Sequence, residues 1–202
     1  METVAINGAL KTTRGKKATK AIRRTGAVPC VIYGGAKEIH FTAQEKAFKS
    51  LIFTPDFKLV EITVDNNTYK CILKDAQFHP VKDNIMHLDF LELKANHPVK
   101  VEIPIRFKGV SPGVKSGGKL MQKLRRIKIK TTPELIVDHV TFDISHLELG
   151  SSVRVKDLEA VEGIDVLNAP NIPVASVEVP RALRSAEAEA EGEAAATPAA
   201  AE

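Results

Sequence analysis

The stretch LVEITVDNNTYKCIL, residues 59–73, has the clearest structural pattern in this chain of 202 residues. Apolar and polar side chains alternate on both sides of Asp65-Asn66-Asn67, as they do in two half-buried antiparallel strands. Asn66 and Asn67 tolerate the positive φ angles of a tight hairpin turn. The stretch therefore predicts a β-hairpin and makes β-structure the first expectation for the fold.

Further patterns flank this hairpin. Residues 29–33 form an apolar run that ends in a Gly-Gly turn, and residues 85–93 form another strand pattern. Residues 43–53 have apolar side chains at helical spacing and predict a short helix. We expect an N-terminal domain over residues 1–94 that is a small closed or nearly closed β-barrel with one or two short helices.

The remainder of the chain divides into two parts. Residues 95–181 combine alternating runs with many Gly and Pro residues, which predicts a C-terminal all-β domain and a mainly β fold class. The alternating runs are 99–107, 124–129 and 136–144. Residues 182–202 are rich in Ala and Glu and contain one large apolar side chain, so they predict a disordered tail.

Composition limits the classes of function. No run approaches the roughly 18 consecutive apolar residues of a membrane span, and the first ten residues lack the pattern of a secretory signal. We therefore expect a cytoplasmic protein without membrane contact. Cys30 and Cys71 lie among aliphatic neighbours and predict two buried, reduced thiols.

Positive charge is concentrated in residues 11–24, where seven Lys and Arg residues occur without an acid. These residues are Lys11, Arg14, Lys16, Lys17, Lys20, Arg23 and Arg24. If residues 16–24 are helical, their five cations fall within an arc of about 120°. Ala18, Ala21 and Ile22 would lie opposite, available to pack. A solvated charged face is the alternative, but such faces normally include acids, so we favour nucleic-acid binding.

A second candidate lies in residues 85–90, IMHLDF. Period-two alternation places Met86, Leu88 and Phe90 on one face, which predicts core, and His87 and Asp89 on the other. From the residues alone, two solvated polar side chains are the simpler interpretation of that pair. The alternative is that Asp89 accepts a hydrogen bond from a base, which would contribute specificity rather than affinity.

The sequence contains no complete enzyme motif. Residues 113–119, GVKSGGK, match the phosphate-loop spacing GxxxxGK, but Leu120 stands where Ser or Thr should bind magnesium. A strand pattern follows where a helix is needed, so we interpret the segment as a Gly-rich turn. No His or Cys has zinc-ligand spacing. We therefore expect no catalysis, metal, cofactor or small-molecule substrate.

Several segments together resemble the bacterial large-subunit ribosomal protein twenty-five. The matching segments are 15–24, 28–29, 31–35, 73–81 and 86–90, and three later ones, 112–118, 147–150 and 155–158, resemble its long two-domain form, the general stress protein Ctc family. The sequence departs from the usual family pattern at Lys17, Ala21 and Phe78.

The resemblance implies a monomeric structural component of the large ribosomal subunit that binds 5S ribosomal RNA around loop E. It implies RNA contacts from Lys16, Thr19, Lys20, Arg23, Tyr33, Gln77, His87 and Asp89, beside the basic residues Lys11, Arg14, Lys17 and Arg24. A stress-induced RNA-binding regulator or chaperone that acts off the ribosome is the alternative.

Overall fold

The computed structural model describes residues 2–13, 15–158 and 165–180, which group into two compact units. One unit holds the described residues of 1–104, 128–139 and 162–166. The other holds those of 105–127, 140–161 and 167–202. The predicted Ala/Glu-rich tail, residues 182–202, lies outside the described residues.

Six strands near the N-terminus close into a barrel, in the order β1-β3-β2-β6-β5-β4. They are β1 (Thr3–Leu10), β2 (Ala27–Tyr33), β3 (Ile39–Gln44), β4 (Leu59–Val64), β5 (Asn67–Phe78) and β6 (Ile85–Glu92). A parallel pairing of β1 with β4 joins the two ends of the sheet. The prediction of a small closed sheet is confirmed, and closure removes the exposed strand edges that would otherwise invite aggregation.

Alternation along the strands fills the barrel with aliphatic and aromatic side chains. Phe90 lies at the centre, with its ring centroid 6.0 Å from that of Phe41 and 6.1 Å from that of Phe48. Cys30 and Cys71 are buried free thiols, as predicted. Burial, reinforced by the carboxylate of Glu92, raises the pKa of Cys71 to about 12, so this thiol is neutral and unreactive at physiological pH.

Two local predictions in the barrel need correction. The β4–β5 turn places positive φ angles at Asp65 and Asn66, one residue earlier than expected, and Asn67 already belongs to β5. The helical segment begins later than predicted, because β3 extends to Gln44 with Ala43 buried. It consists of a 3₁₀ turn (Glu45–Phe48) followed by α2 (Lys49–Ile52). In both cases the strand pairing extends the ladder past the local pattern.

The regular structure in the described residues after the barrel is mainly β-strand, as expected. One sheet has the order β10-β7-β9-β12 and a second the order β11-β13-β8. Their strands are β7 (Val99–Lys108), β8 (Lys119–Gln122), β9 (Arg126–Thr131), β10 (Val140–Asp143), β11 (Ser152–Arg154), β12 (Asp165–Val166) and β13 (Pro173–Glu178). Residues 136–139 lie outside the strand that residues 136–144 predicted, because only β10 pairs with β7.

The segment with phosphate-loop spacing is a packed turn around the short helix α3 (Pro112–Lys115). The amide of Gly113 donates to the carbonyl of Leu147 and that of Gly118 to the carbonyl of Gly113. A Cβ atom at Gly113 would lie 2.6 Å from the backbone of Glu148. Since internal contacts take up both the space and these amides, the segment is unsuited to cradling a phosphate.

Two kinds of feature are absent from the described residues. None of their helices is long and apolar enough to cross a membrane. No group of three or more His, Cys, Asp or Glu side chains among them is arranged to hold a metal ion.

Candidate nucleic-acid interface

Residues Lys16–Arg24 form the helix α1 between β1 and β2, as the basic segment predicted. The helix begins at Gly15 without a side-chain cap, and no acid lies in its first turn. Lys16 and Lys17 instead place two cations at the positive end of the helix dipole, which weakens an isolated helix. A helix of nine residues is also short for independent stability. These lysines therefore oppose the helix unless an anion binds beside them.

One side of α1 faces the protein and the other faces solvent. Lys16, Lys17, Lys20 and Arg24 are exposed, and we call these four residues the helix face. Ala18, Thr19, Ile22 and Arg23 are half-buried on the opposite side, so Arg23 is not part of the exposed face of five cations that was predicted, because it binds the barrel. Ala21 is exposed, which corrects the prediction that it packs. At 100° per residue it lies beside Lys17, away from the other two apolar residues.

Lys11 and Thr19 contact each other beside the first turn of α1. The ammonium of Lys11 donates to Thr19 Oγ1 at 3.3 Å, and that hydroxyl donates to the carbonyl of Gly15 at 3.0 Å. The main chain of Lys11 also donates to the carbonyl of His40 in β3. These bonds fix the start of the helix to the barrel. Arg14, predicted with them, lies outside the described residues.

Arg23 attaches the last turn of α1 to the start of β6. Its Nε donates to the carbonyl of Met86 at 3.0 Å. Gln77 pairs with His87 and Phe78 pairs with Ile85, so Met86 is an extra residue in a β-bulge. A bulged residue leaves the ladder, and here its carbonyl accepts from the arginine. The bulge also turns Ile85 into the core, and Met86 is half-buried rather than the core residue that was predicted.

A second bulge, at Lys74, decides which side chains of β5 face outward. Cys71 is buried in the barrel, and strict alternation from it would also turn Asp75 and Gln77 inward. The register with β6 shifts between Leu73 and Asp75, which leaves Lys74 unpaired. Ala76 consequently packs against the core, while Asp75 and Gln77 are exposed. The bulge thus sets Gln77 opposite His87 and Asp75 opposite Asp89.

His87 and Asp89 lie two residues apart on the outer side of β6 and interact directly. Nδ1 of His87 is 2.6 Å from Oδ1 of Asp89, and both side chains are 29% exposed. Leu88 and Phe90 between and beside them are fully buried. This close approach holds the imidazole ring beside the carboxylate on the outer side of the strand.

Tyr33 ends β2 on the same outer side, next to these carboxylates. Burial raises the pKa of its phenol, and the charges of Asp89 and Asp75 raise it further. Gly34 follows with a φ of 91°, and a Cβ there would lie 2.7 Å from Leu91 Cδ1. The strand can turn immediately after Tyr33 because this position is glycine.

Five side chains on β2, β5 and β6 thus share one outer surface, which we call the strand face. They are Tyr33, Asp75, Gln77, His87 and Asp89. Sequence reasoning missed Asp75, although it lies within a segment used for the resemblance. The direct opposition of Asp75 and Asp89 destabilises the ladder, since like charges repel across a strand pair. The local sequence pattern does not indicate that Asp75 is exposed, because its exposure depends on the bulge at Lys74.

Family models match both parts of the chain. Residues 6–90 match the model of the ribosomal L25p family, and residues 98–181 match the model of the C-terminal domain of ribosomal protein TL5. The large ribosomal subunit protein bL25 of Bacteroides fragilis is 38% identical over 195 residues, which cover 94% of this chain and 99% of that protein. The chain belongs to the bL25 family.

Other bL25 proteins agree with this assignment. Those of Cytophaga hutchinsonii and Porphyromonas gingivalis are 40% and 41% identical over 190 and 188 residues. These matches cover 94% and 92% of this chain, and 98% and 97% of the two relatives. Because the match to the TL5 C-terminal domain follows the L25p match, the chain is a long-form bL25, as the resemblance implied.

Proposed function

We propose that this chain is a structural, non-catalytic constituent of the large ribosomal subunit and binds 5S ribosomal RNA with its barrel. The helix face and the strand face would form one interface, joined by the bond from Arg23 to Met86. The observation that supports the proposal most is this attachment of an acid-free basic helix to two bulged strands that present fixed polar groups. The chain would act as a monomer on ribosomes in the cytoplasm.

The helix face suits phosphate binding. Its four exposed cations lie within one arc, and the positive helix terminus beside Lys16 and Lys17 adds to their field. Each phosphate contact releases condensed counterions, so this surface would supply affinity that falls steeply with salt. Such contacts position a protein on RNA without distinguishing one sequence from another.

The strand face suits discrimination between RNA shapes. Gln77 offers both a donor and an acceptor, and His87 is oriented by Asp89. A regular A-form helix has a narrow major groove that side chains cannot enter, whereas an irregular helix exposes base edges. The carboxylates repel phosphates but accept from base amino groups. We therefore assign RNA selectivity to the strand face and loop E of 5S RNA as the irregular target.

Binding to a 5S RNA transcript tests the proposal, with a regular duplex of equal length as the comparator. We expect preference for the 5S transcript, a steep loss of affinity with salt, and protection of the loop E nucleotides from chemical probing. Equal affinity for the two RNAs would contradict the proposed target. In cell extracts the chain should sediment with large subunits; persistent sedimentation as the free protein would instead favour a regulator or chaperone off the ribosome.

A further inference from the structure

Phe78 is the last residue of β5 and lies close to the point where Arg23 attaches α1 to β6. It follows Gln77 and pairs with Ile85, the neighbour of the Met86 whose carbonyl binds Arg23. Although it occupies a strand position next to the core, its side chain is 42% exposed. A partly uncovered aromatic ring therefore lies next to Gln77 of the strand face in sequence and near the bond that attaches α1 to the barrel.

The connection between β5 and β6 carries a second exposed apolar side chain. Val81 at its tip is 83% exposed, although the loop is locally ordered. Nδ1 of His79 accepts from the amides of Val81 and Lys82 at 3.2 and 3.3 Å, and the amide of His79 donates to the carbonyl of Asn84. A single exposed apolar residue is ordinary on a protein surface. Phe78 and Val81 are both exposed within four residues of one hairpin end; we call these two side chains the patch, and such a pair requires an explanation.

The charges around the patch favour RNA as its occupant. Arg23 reaches this end of the hairpin from α1 and Lys82 lies in the connection, with Asp83 as its one acid. Aromatic side chains set among cations bind single-stranded or unstacked bases, because every base has a π face and every phosphate a charge. A protein partner would be expected to meet a broader apolar surface with fewer charges at its centre.

We propose that Phe78 stacks against an exposed base of the bound RNA, with Val81 covering the edge of the same nucleotide. This inference rests on the proposed function and assigns the contact that links phosphate binding on α1 to base recognition on β5 and β6. A stacked base would also give affinity that is insensitive to salt, unlike that of the lysines.

The chain has no Trp, so Phe78→Trp introduces a single fluorescent reporter at the proposed contact. We expect its emission to be quenched stoichiometrically by the 5S transcript. Phe53→Trp is the matched control, since Phe53 is an exposed phenylalanine at the end of α2 that belongs to neither face. Its emission should not change.

Affinity measurements complete the test. Phe78→Leu keeps apolar bulk but lacks a π face, and we expect it to weaken binding about five- to thirtyfold with an unchanged salt slope. Phe78→Tyr keeps a π face and should bind with the affinity of the unsubstituted chain. Binding without quenching and without loss in Phe78→Leu would overturn the stacking contact and leave the proposed function standing. Absence of binding by the unsubstituted chain would overturn both.

A protein occupant has a distinct signature. The emission of the tryptophan introduced at position 78 would not change when RNA is added in solution. It would change only when the chain is assembled into reconstituted large subunits. That result would also overturn the stacking contact.

Discussion

The helix face and the strand face differ in charge, in burial and in what holds them in place. The helix face has four exposed cations on a helix of nine residues, about two and a half turns, and its geometry follows from local sequence. The strand face collects half-buried and exposed groups from β2, β5 and β6, including two carboxylates. An interface that needed affinity alone would not contain those acids. The comparison separates a surface for binding polyanions from a surface for choosing among them.

The comparison is most severely tested at Ala76, because the β5 bulge turns Ala76 toward the core and Gln77 outward, whereas strict alternation from Cys71 would do the reverse. Ala76→Asp should place an unpaired carboxylate against the core, so we expect destabilisation of about 3 kcal/mol or more. Urea unfolding measures this loss. The matched control is Gln77→Asp, which introduces the same charge at the neighbouring exposed position and should cost far less. Equal stability of the two variants would show that the bulge does not place the strand face.

Reversing two charges of the helix face comes next in expected effect. Lys16→Glu combined with Lys20→Glu should weaken 5S RNA binding about tenfold or more per residue. The slope of log affinity against log salt should also fall by about two. Both side chains are exposed, so folding should be unaffected. Filter binding over a salt series measures both quantities.

A matched double variant distinguishes a specific role of the helix face from a general effect of net charge on RNA affinity. Lys70 and Lys94 are exposed near the end of β6 that is remote from Arg23. Their reversal to Glu changes the net charge equally and should alter affinity far less. If both double variants lose the same affinity, the helix face has no special role.

The two faces also differ in how far sequence could predict them. The helix face follows from spacing alone, because one face of a short helix depends only on neighbours three and four residues away. The strand face needed the family resemblance to single out Gln77. Its outward direction depends on a bulge that contradicts the alternation from Cys71. Pairing with β6, which is remote in sequence, decides that register.

The barrel was predictable in outline and less so in detail. The hairpin of β4 and β5 alternates cleanly and was found, whereas β1 buries only Ile6 and gives almost no periodic signal. β3 was missed because Ala43 and Gln44 also fit the helical pattern that follows. Closure depends on pairing of β1 with β4, which local patterns do not encode.

Asp89→Ala should act on selectivity rather than on overall affinity. Without the carboxylate, His87 loses its orienting partner and the strand face loses an acceptor. We expect the preference for 5S RNA over regular duplex to fall about five- to hundredfold. Total binding to duplex should remain or increase, because a negative charge has been removed. Competition binding with both RNAs measures the ratio, and Glu38→Ala, an exposed acid outside both faces, is the control.

The smallest expected effect concerns the phenol of Tyr33, which reports the charge of the strand face. Its pKa is raised above the ordinary value of 10.0 by burial and by Asp89 and Asp75. The folded state thus resists ionisation of this group more than the unfolded state does. Its contribution to stability is therefore fully present below pH 10 and is lost as pH rises through the raised pKa.

Ultraviolet titration of tyrosinate can resolve this shift, since Tyr69 is the only other tyrosine and Tyr33→Phe assigns the two signals. Asp89→Asn should lower the pKa of Tyr33 toward its ordinary value, and Asp75→Asn should lower it by less. Bound RNA should raise it further, because phosphates add negative charge beside a phenol that would become anionic. If neither substitution changes the pKa of Tyr33, Tyr33 lies outside the strand face, which would then consist of residues on β5 and β6 only.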